Sequence, residues 1–349
     1  MARVSDRAVG TFRVLLRYHQ AMCGIAGVIM RHKTVTPEML EPMADRLAHR
    51  GPDGRGFFAS GAFGLCHTRL SIIDLVTGQQ PIATGDGKRV LVANGEIYNH
   101  VELAAELKDR GCHFSTRSDS ETILQAYVLD PVNFAMRLRG MFAAAIFDAD
   151  NQRLVLVRDP LGIKPLFYAR FADRLVFASE MKAILPLMPA SPQVDPRGLS
   201  QYLHTHCTTG EATIFAGIKR VLPGEILEID ASLQIKRRRY WSPLQVEPRE
   251  TTRRQAEDEF DALMSEVIRE HSRSDVPYGL FLSGGNDSAV LLALLSRYQD
   301  QPVRTFTVGY RESVKRDELA LAERMAHMFG SRHTSLRLDR AGLFRRVPH

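Results

Sequence analysis

The sequence predicts an α+β arrangement followed by an α/β one, and three observations carry that prediction. From Met22 to about Tyr240, short strand-like runs outnumber helical ones. From about Arg254 onward, strand-like and helix-like segments alternate. Between the two textures lies a polar, proline-containing stretch, 241–255, that reads as a linker. The expected layout is therefore an extension (1–21), a first domain (22–240), the linker, and a second domain (256–349).

In chain order, Cys23-Gly-Ile-Ala-Gly-Val-Ile-Met30 is apolar and β-branched and reads as a buried strand. A helix is expected over Pro37–Leu47, with Thr36 as N-cap and Pro37 in the first helical position. Strands are expected at Phe63–Cys66, Arg89–Ala93, Ala143–Asp148, Arg153–Arg158, Leu166–Arg170 and Leu175–Ala178, and helices at Asn99–Arg110 and Ser120–Tyr127. Many strands with few helices suggest sheets covered by helices. Leu185–Pro196 is proline-rich and ends this pattern, and Gly217–Asp230, turning at Pro223-Gly224, reads as a hairpin. Beyond the linker the order is helix (about Arg254–His271), strand (Tyr278–Leu282), helix (Ser288–Arg297), strand (Val303–Val308), helix (Asp317–Phe329) and strand (His333–Leu338). That is a parallel βαβ pattern of three strands.

Hydrophobic residues make up 44% of the 349 and charged residues 25%, as in a soluble globular protein. The formal charge of +6 is partly local, in Lys236, Arg237, Arg238 and Arg239. Such a run is better read as a solvated strand end than as a nucleic-acid surface, so no nucleic-acid partner is expected. No apolar run reaches the ~18 residues that span a bilayer, so no membrane partner is expected either. Cys23, Cys66, Cys112 and Cys207 form no CxxC pair, which disfavours zinc and a disulfide framework and fits a cytoplasmic location.

Cys23 alone would be a buried packing thiol. Its neighbours change the reading: Met22-Cys23-Gly24, the turn His49-Arg-Gly-Pro-Asp53, His67-Thr-Arg69-Leu-Ser-Ile-Ile-Asp74, Asn94-Gly95-Glu96-Ile-Tyr98-Asn99, and Ser118-Asp119-Ser-Glu121. Together with Arg158-Asp-Pro-Leu-Gly-Ile-Lys-Pro-Leu-Phe-Tyr168 and Phe177-Ala-Ser-Glu-Met-Lys-Ala-Ile184, they resemble the type-2 glutamine amidotransferases over about 22–240. The fold this implies is the αββα sandwich of the N-terminal-nucleophile hydrolases. Removing Met22 would give Cys23 a free α-amine with a pKa near ~8, able to take the thiol proton. The resemblance implies that Cys23, Asn94 and Gly95 are catalytic, with Asn94 and Gly95 holding the oxyanion. It implies that Arg69, Leu70, Ser71, Ile72, Ile73, Asn94, Gly95, Glu96 and Asp119 bind glutamine. Arg69 suits the α-carboxylate as a bidentate fork, and Asp119 and Glu96 suit the α-ammonium. Cys66, Cys112 and Cys207 are expected to be packing residues and His67 to be structural.

Ser283-Gly-Gly-Asn-Asp-Ser288 joins a strand to a helix. Glycines there let backbone approach an anion, and a helix start supplies N–H donors. The GxxxxGK[ST] order is absent, so this is not a Walker A loop. It resembles the PP-loop of ATP pyrophosphatases, except that Asn286 stands where an apolar residue is usual. With the first half, it resembles asparagine synthetase: an N-terminal-nucleophile sandwich followed by a partial parallel-sheet, Rossmann-like PP-loop domain. The resemblance implies ATP contacts at Leu282, Ser283, Gly284, Gly285, Asp287, Ser288 and Val308, with Mg²⁺ at Asp287. The implied partners are glutamine, ATP and aspartate, and a homodimer is admitted. The implied reaction gives asparagine, AMP, pyrophosphate and glutamate, with ammonia passed internally.

Two departures shape the expectations. Residues 1–21 would lock the amine of Cys23 in a peptide bond, so either translation starts at Met22 or a propeptide is cleaved; the first is preferred. The family's second loop, acidic magnesium ligand and catalytic lysine are absent before His349, so an incomplete synthetase half is expected. The competing readings are a glutaminase serving a different acceptor and a non-catalytic remnant.

Overall fold

The computed structural model describes residues 22–310 and 318–339. The expected extension, 1–21, lies outside them, as does the expected helix start at Asp317. Two compact units are present, one ending at Pro248 and the other starting at Arg249.

The first unit is built from two six-stranded sheets. In chain order its elements are β1 (Gly24–Met30), α1 (Pro37–Leu47), β2 (Gly54–Ser60), β3 (Phe63–Arg69), β4 (Ile82–Ala83) and β5 (Arg89–Ile97). Then come α2 (His100–Asp109), α3 (Asp119–Leu129), β6 (Gly140–Asp148), β7 (Arg153–Arg158), β8 (Phe167–Arg170) and β9 (Arg174–Ala178). The unit ends with α4 (Pro196–Thr205), β10 (Ile218–Arg220), β11 (Glu225–Asp230) and β12 (Ile235–Arg239). One sheet runs β10-β8-β9-β1-β3-β2 and the other β12-β11-β7-β6-β5-β4. Neighbouring strands are antiparallel throughout.

Strand alternation sorts the side chains into layers. On β1, Ile25 and Ile29 enter the core between the sheets, where they meet Val90, Val92, Phe147 and Leu156 of the other sheet. Ala26, Val28 and Met30 face the opposite way, onto α1. That helix buries Leu40, Met43, Ala44 and Leu47, the i, i+3, i+4, i+7 stripe of an amphipathic helix. Leu91, Ala93 and Ile97 of β5 pack outward against α2 and α3. The result is the four-layer αββα sandwich expected from the sequence.

The differences have physical reasons. Thr36 sits at the N-cap of α1 without a side-chain cap bond, so Pro37 carries the helix start. Gly217–Asp230 is not a hairpin: β10 pairs with β8 in one sheet while β11 pairs with β7 and β12 in the other. The Pro223-Gly224 turn is real, but the Gly224 N–H donates to Asp159 O and the chain crosses between sheets there. The four-cation run lies on β12, an edge strand, where charge discourages further pairing. Helix α4 was not expected, although Asp195 caps it and Pro196 begins it.

The second unit comprises α5 (Arg253–His271), β13 (Leu280–Phe281), α6 (Asn286–Tyr298), β14 (Arg304–Tyr310), α7 (Leu319–Met328) and β15 (Arg332–Leu338). Its strands form a parallel sheet in the order β13-β14-β15. Thr252 and Gln255 close a capping box on α5. Among the described residues no helix is long and apolar enough to cross a membrane.

The core between the sheets supports a direct test. Phe63 is buried, with its ring 4.7 Å from that of Phe147. Phe63→Ala should cost about 3–5 kcal/mol, whereas Leu244→Ser, at a position 92% exposed, should change stability by less than about 0.5 kcal/mol. The chain's single tryptophan, Trp241, packs against the first unit's core. Its fluorescence during denaturant unfolding reads that unit, and equal midpoints for the two variants would contradict the packing described.

Candidate active site

A pocket between the two sheets is lined by Cys23, Arg69, Leu70, Ile72, Ile73, Asn94, Gly95, Glu96, Asp119 and Lys164, among others. The pleat explains why. Cys23 shares the parity of Ile25, Arg69 that of Phe63 and Leu65, and Asn94 and Glu96 that of Val90 and Val92, so all point between the sheets. Asp119 opens α3, with Ser118 as the N-cap, and its carboxylate accepts the Ile97 N–H at 2.8 Å.

The Cys23 thiol is parked on Leu70: Sγ lies 3.4 Å from the Leu70 N–H that donates to it and 3.6 Å from the Leu70 carbonyl. Burial pushes this thiol above its usual range, and Asp119 adds to the effect, while the Leu70 N–H, Arg69 and Lys164 oppose it. A thiol held protonated needs a base. Among the described residues no histidine lines the pocket. Nearby His67 bonds Ala93 O at 3.1 Å, and burial pulls its pKa down to about 3, so it acts as a neutral stitch between β3 and β5.

Arg69 is anchored through Nη2, which donates to the carbonyls of Asp74 and, at 3.4 Å, Ile73. Gly78 makes room for it: a Cβ there would lie 2.7 Å from Nη2. Asn94 Nδ2 is buried and has no hydrogen-bond partner among the described residues, and Asn94 lines the pocket. Gly95 sits mid-strand against β6, where a Cβ would come within 2.1 Å of Met141 O. Burial raises both carboxyls of the Glu96–Asp119 pair, and for Glu96 the charge of Asp119 adds to the shift while Lys164 opposes it.

Ser71 does not line the pocket; its N–H donates to Asp53 at 2.8 Å. Several lining residues were not anticipated: Gly78, Gln80, Ser118, Ser120 and Lys164. Gln80 pairs with the Ala93 N–H and C=O as a strand would, at 2.6 and 3.2 Å. Arg50, buried, donates through Nε to Cys23 O at 3.1 Å and through Nη1 to Glu180 at 2.9 Å. The lysine within the quoted 158–168 motif was the available sequence signal for Lys164.

In the second unit, Ser283 and Ser288 share a 2.9 Å hydroxyl contact, and the Ser288 hydroxyl also accepts the Ser283 N–H at 3.2 Å. Gly285 is the N-cap of α6, and Asp287 is exposed in its first turn. Leu282 is buried with its N–H on Phe306 O at 2.8 Å, and Val308 lies on the adjacent strand β14. The Gly284 N–H donates to Glu318 at 3.3 Å. Among the described residues no group of three His, Cys, Asp or Glu side chains is gathered to hold a metal.

The neutral His67 has a testable consequence. Its folded pKa, about 3, lies below the ordinary 6.5, so the unfolded chain binds its proton first. The stability this contributes is complete above pH 6.5 and is lost as the pH falls toward 3. His67→Gln, which keeps a donor toward Ala93 O, should flatten the acid limb of stability in that window, read by Trp241 fluorescence. Parallel curves for the two proteins would refute it.

The family model described as "Glutamine amidotransferase domain" matches residues 22–241, and that described as "Asparagine synthase" matches 259–349. The Bacillus subtilis protein "Asparagine synthetase [glutamine-hydrolyzing] 1" is 34% identical over 83% of this chain and 46% of its own. A second B. subtilis asparagine synthetase is 34% identical over 87% of this chain and 42% of its own. "Amidase chry2" of Gibberella zeae is 32% identical over 88% of this chain and 48% of its own. The chain thus spans about half the length of the curated relatives it matches. With the amidotransferase model covering most of the sequence, the chain belongs to the glutamine amidotransferase domain family, and an asparagine synthase segment follows that domain.

Proposed function

We propose that this chain hydrolyses glutamine to glutamate and ammonia through Cys23. The observation that carries the reading is the pairing of Cys23 with the buried, unpartnered Asn94 Nδ2 in one pocket. The Cys23 thiol attacks the γ-carbonyl carbon and its proton passes to the free α-amine of the same residue. Asn94 Nδ2 and the Gly95 N–H hold the oxyanion. Collapse forms the thioester and breaks the C–N bond, and the departing nitrogen takes the proton to leave as ammonia. Water then releases glutamate. Arg69 clamps the α-carboxylate, Asp119 and Glu96 the α-ammonium, and Leu70, Ile72 and Ile73 line the methylene path. The mature form begins at Cys23.

Residues 22–240 form the glutaminase in this reading, 241–255 the linker, and 256–349 the first part of a synthetase domain. Ammonia goes to an ATP-activated carboxylate, with aspartate the preferred acceptor because the B. subtilis relatives are named asparagine synthetases. ATP would meet Leu282, Ser283, Gly284, Gly285, Ser288 and Val308. A lone Asp287 with phosphate oxygens and water fits the usual magnesium environment. A cytoplasmic location and a homodimer belong to the same proposal. A different acceptor is the second reading, favoured by the similarity to a protein named an amidase. Assaying the chain with ATP, magnesium and each candidate acceptor, and identifying the amide formed, separates the two.

Cys23→Ala should lower glutamate release from glutamine by on the order of 10⁴-fold with an unchanged unfolding midpoint, measured on protein whose intact mass begins at Cys23. Glutaminase activity surviving in that variant would reject the nucleophile. Arg69→Lys should cost at least about tenfold in kcat/KM for glutamine, about 1.4 kcal/mol, because an ammonium cannot form the bidentate fork. An unchanged kcat/KM would remove Arg69 from the carboxylate site.

A further inference from the structure

The loop after β7 is tied down by its own buried polar pair. The Arg158 guanidinium donates to the carbonyls of Lys164, Val221 and Gly162 at 2.7, 2.7 and 2.6 Å. The Asp159 carboxylate accepts from the N–H groups of Leu161, Ile163, Lys164 and Phe142 at 2.9–3.3 Å. Seven backbone groups are thereby satisfied, and both the N–H and the C=O of Lys164 are among them. So firm a clamp fixes where the Lys164 side chain starts.

That side chain enters the Cys23 pocket. Lys164 is 6% exposed, and among the described residues its ammonium has one hydrogen-bonding neighbour, the Met22 thioether, at 3.2 Å. Buried lysines normally end on a carboxylate. This one ends beside the residue whose removal frees the amine of Cys23. Resting on the proposed glutaminase reading, we propose that Lys164 is a positioning residue that sets the proton affinity of the Cys23 α-amine. A fixed cation beside an amine disfavours a second positive charge. The amine then stays unprotonated at neutral pH, ready for the thiol proton, and hands that proton on readily to the departing nitrogen.

The other charged groups facing this point are Arg50 and Arg69, which act in the same sense, and Glu96 and Asp119, which oppose it. Arg50 is already neutralised by Glu180 at 2.9 Å, and Arg69 is turned to the carbonyls of Ile73 and Asp74. Lys164 feels the opposite charges of Glu96 and Asp159, but its ammonium rests on the Met22 thioether rather than on a carboxylate. Burial lowers its own pKa, and the charge of Glu96 opposes that fall.

The test compares the wild type, Lys164→Met and Lys164→Arg, each with Cys23 confirmed as first residue by intact mass. The readouts are the pH profile of kcat/KM for glutamine, the unfolding midpoint, and the Cys23 α-amine titration followed by ¹⁵N NMR. Lys164→Met should move the acidic limb and the amine titration up together by about one pH unit, and the unfolding midpoint shows separately that the fold is kept. Lys164→Arg should restore both toward wild type. An amine titration that does not move in Lys164→Met overturns the proposal. So does total loss of activity at every pH with the amine unshifted, which would make Lys164 itself the proton acceptor. An inactive wild type with Cys23 verified as first residue would instead reject the glutaminase reading on which the proposal stands.

Discussion

Desolvation between the two sheets governs this site. The same alternation that sends Ile25, Phe63 and Val92 into the core sends Cys23, Arg69, Asn94 and Glu96 into it as well. Each polar group there must find a partner or shift its protonation state. His67 responds by staying neutral on Ala93 O, Arg69 by resting one arm on two carbonyls, and Glu96 and Asp119 by holding their protons more tightly. Asn94 Nδ2, left without a partner among the described residues, is the pocket donor a polar substrate would complete.

The two units treat their polar groups differently. In the first, the reactive residues sit on strands and inherit the rigidity of a close-packed core. In the second, Ser283, Gly284, Gly285 and Asp287 lie on a turn and the start of a helix, and the N–H groups of Ser283, Gly284 and Gly285 donate to side chains of Ser288, Glu318 and Ser283. The Ser283–Ser288 hydroxyl pair braces that turn from inside.

Much of this was legible because it is local or periodic. The alternating apolar runs gave the strands, and the motif residues Cys23, Arg69, Asn94, Gly95, Glu96 and Asp119 do line one pocket. What was not legible depends on contacts between distant segments. Gln80 earns its place by pairing with Ala93 like a short strand, and nothing in its own neighbourhood announces that. Gly78 matters because of where the Arg69 guanidinium lies. The segment 217–230 has the composition of a hairpin, but the bond from Gly224 to Asp159 draws its second half into the other sheet. Strand β2 was missed because Gly54 and Gly56 mask its β character. Ser71 was grouped with its apolar neighbours, yet it is not among the pocket's lining residues and its backbone N–H is held by Asp53.

The parity of β3 has a consequence for how this gene can change. Its inward residues are Phe63, Leu65, His67 and Arg69, and its outward ones include Cys66, packed against α1, and Thr68, bonded to Leu47 O. Substitutions along it exchange one side chain at a time. Inserting or deleting one codon inside it would turn every later residue to the opposite face, driving the guanidinium of Arg69 into the layer beneath α1. The tolerated length variation should therefore gather in the connections, such as 84–88, where Gly85 and Gly87 have open space around them. Lineages of this domain would drift in residue identity along β3 while keeping its length fixed.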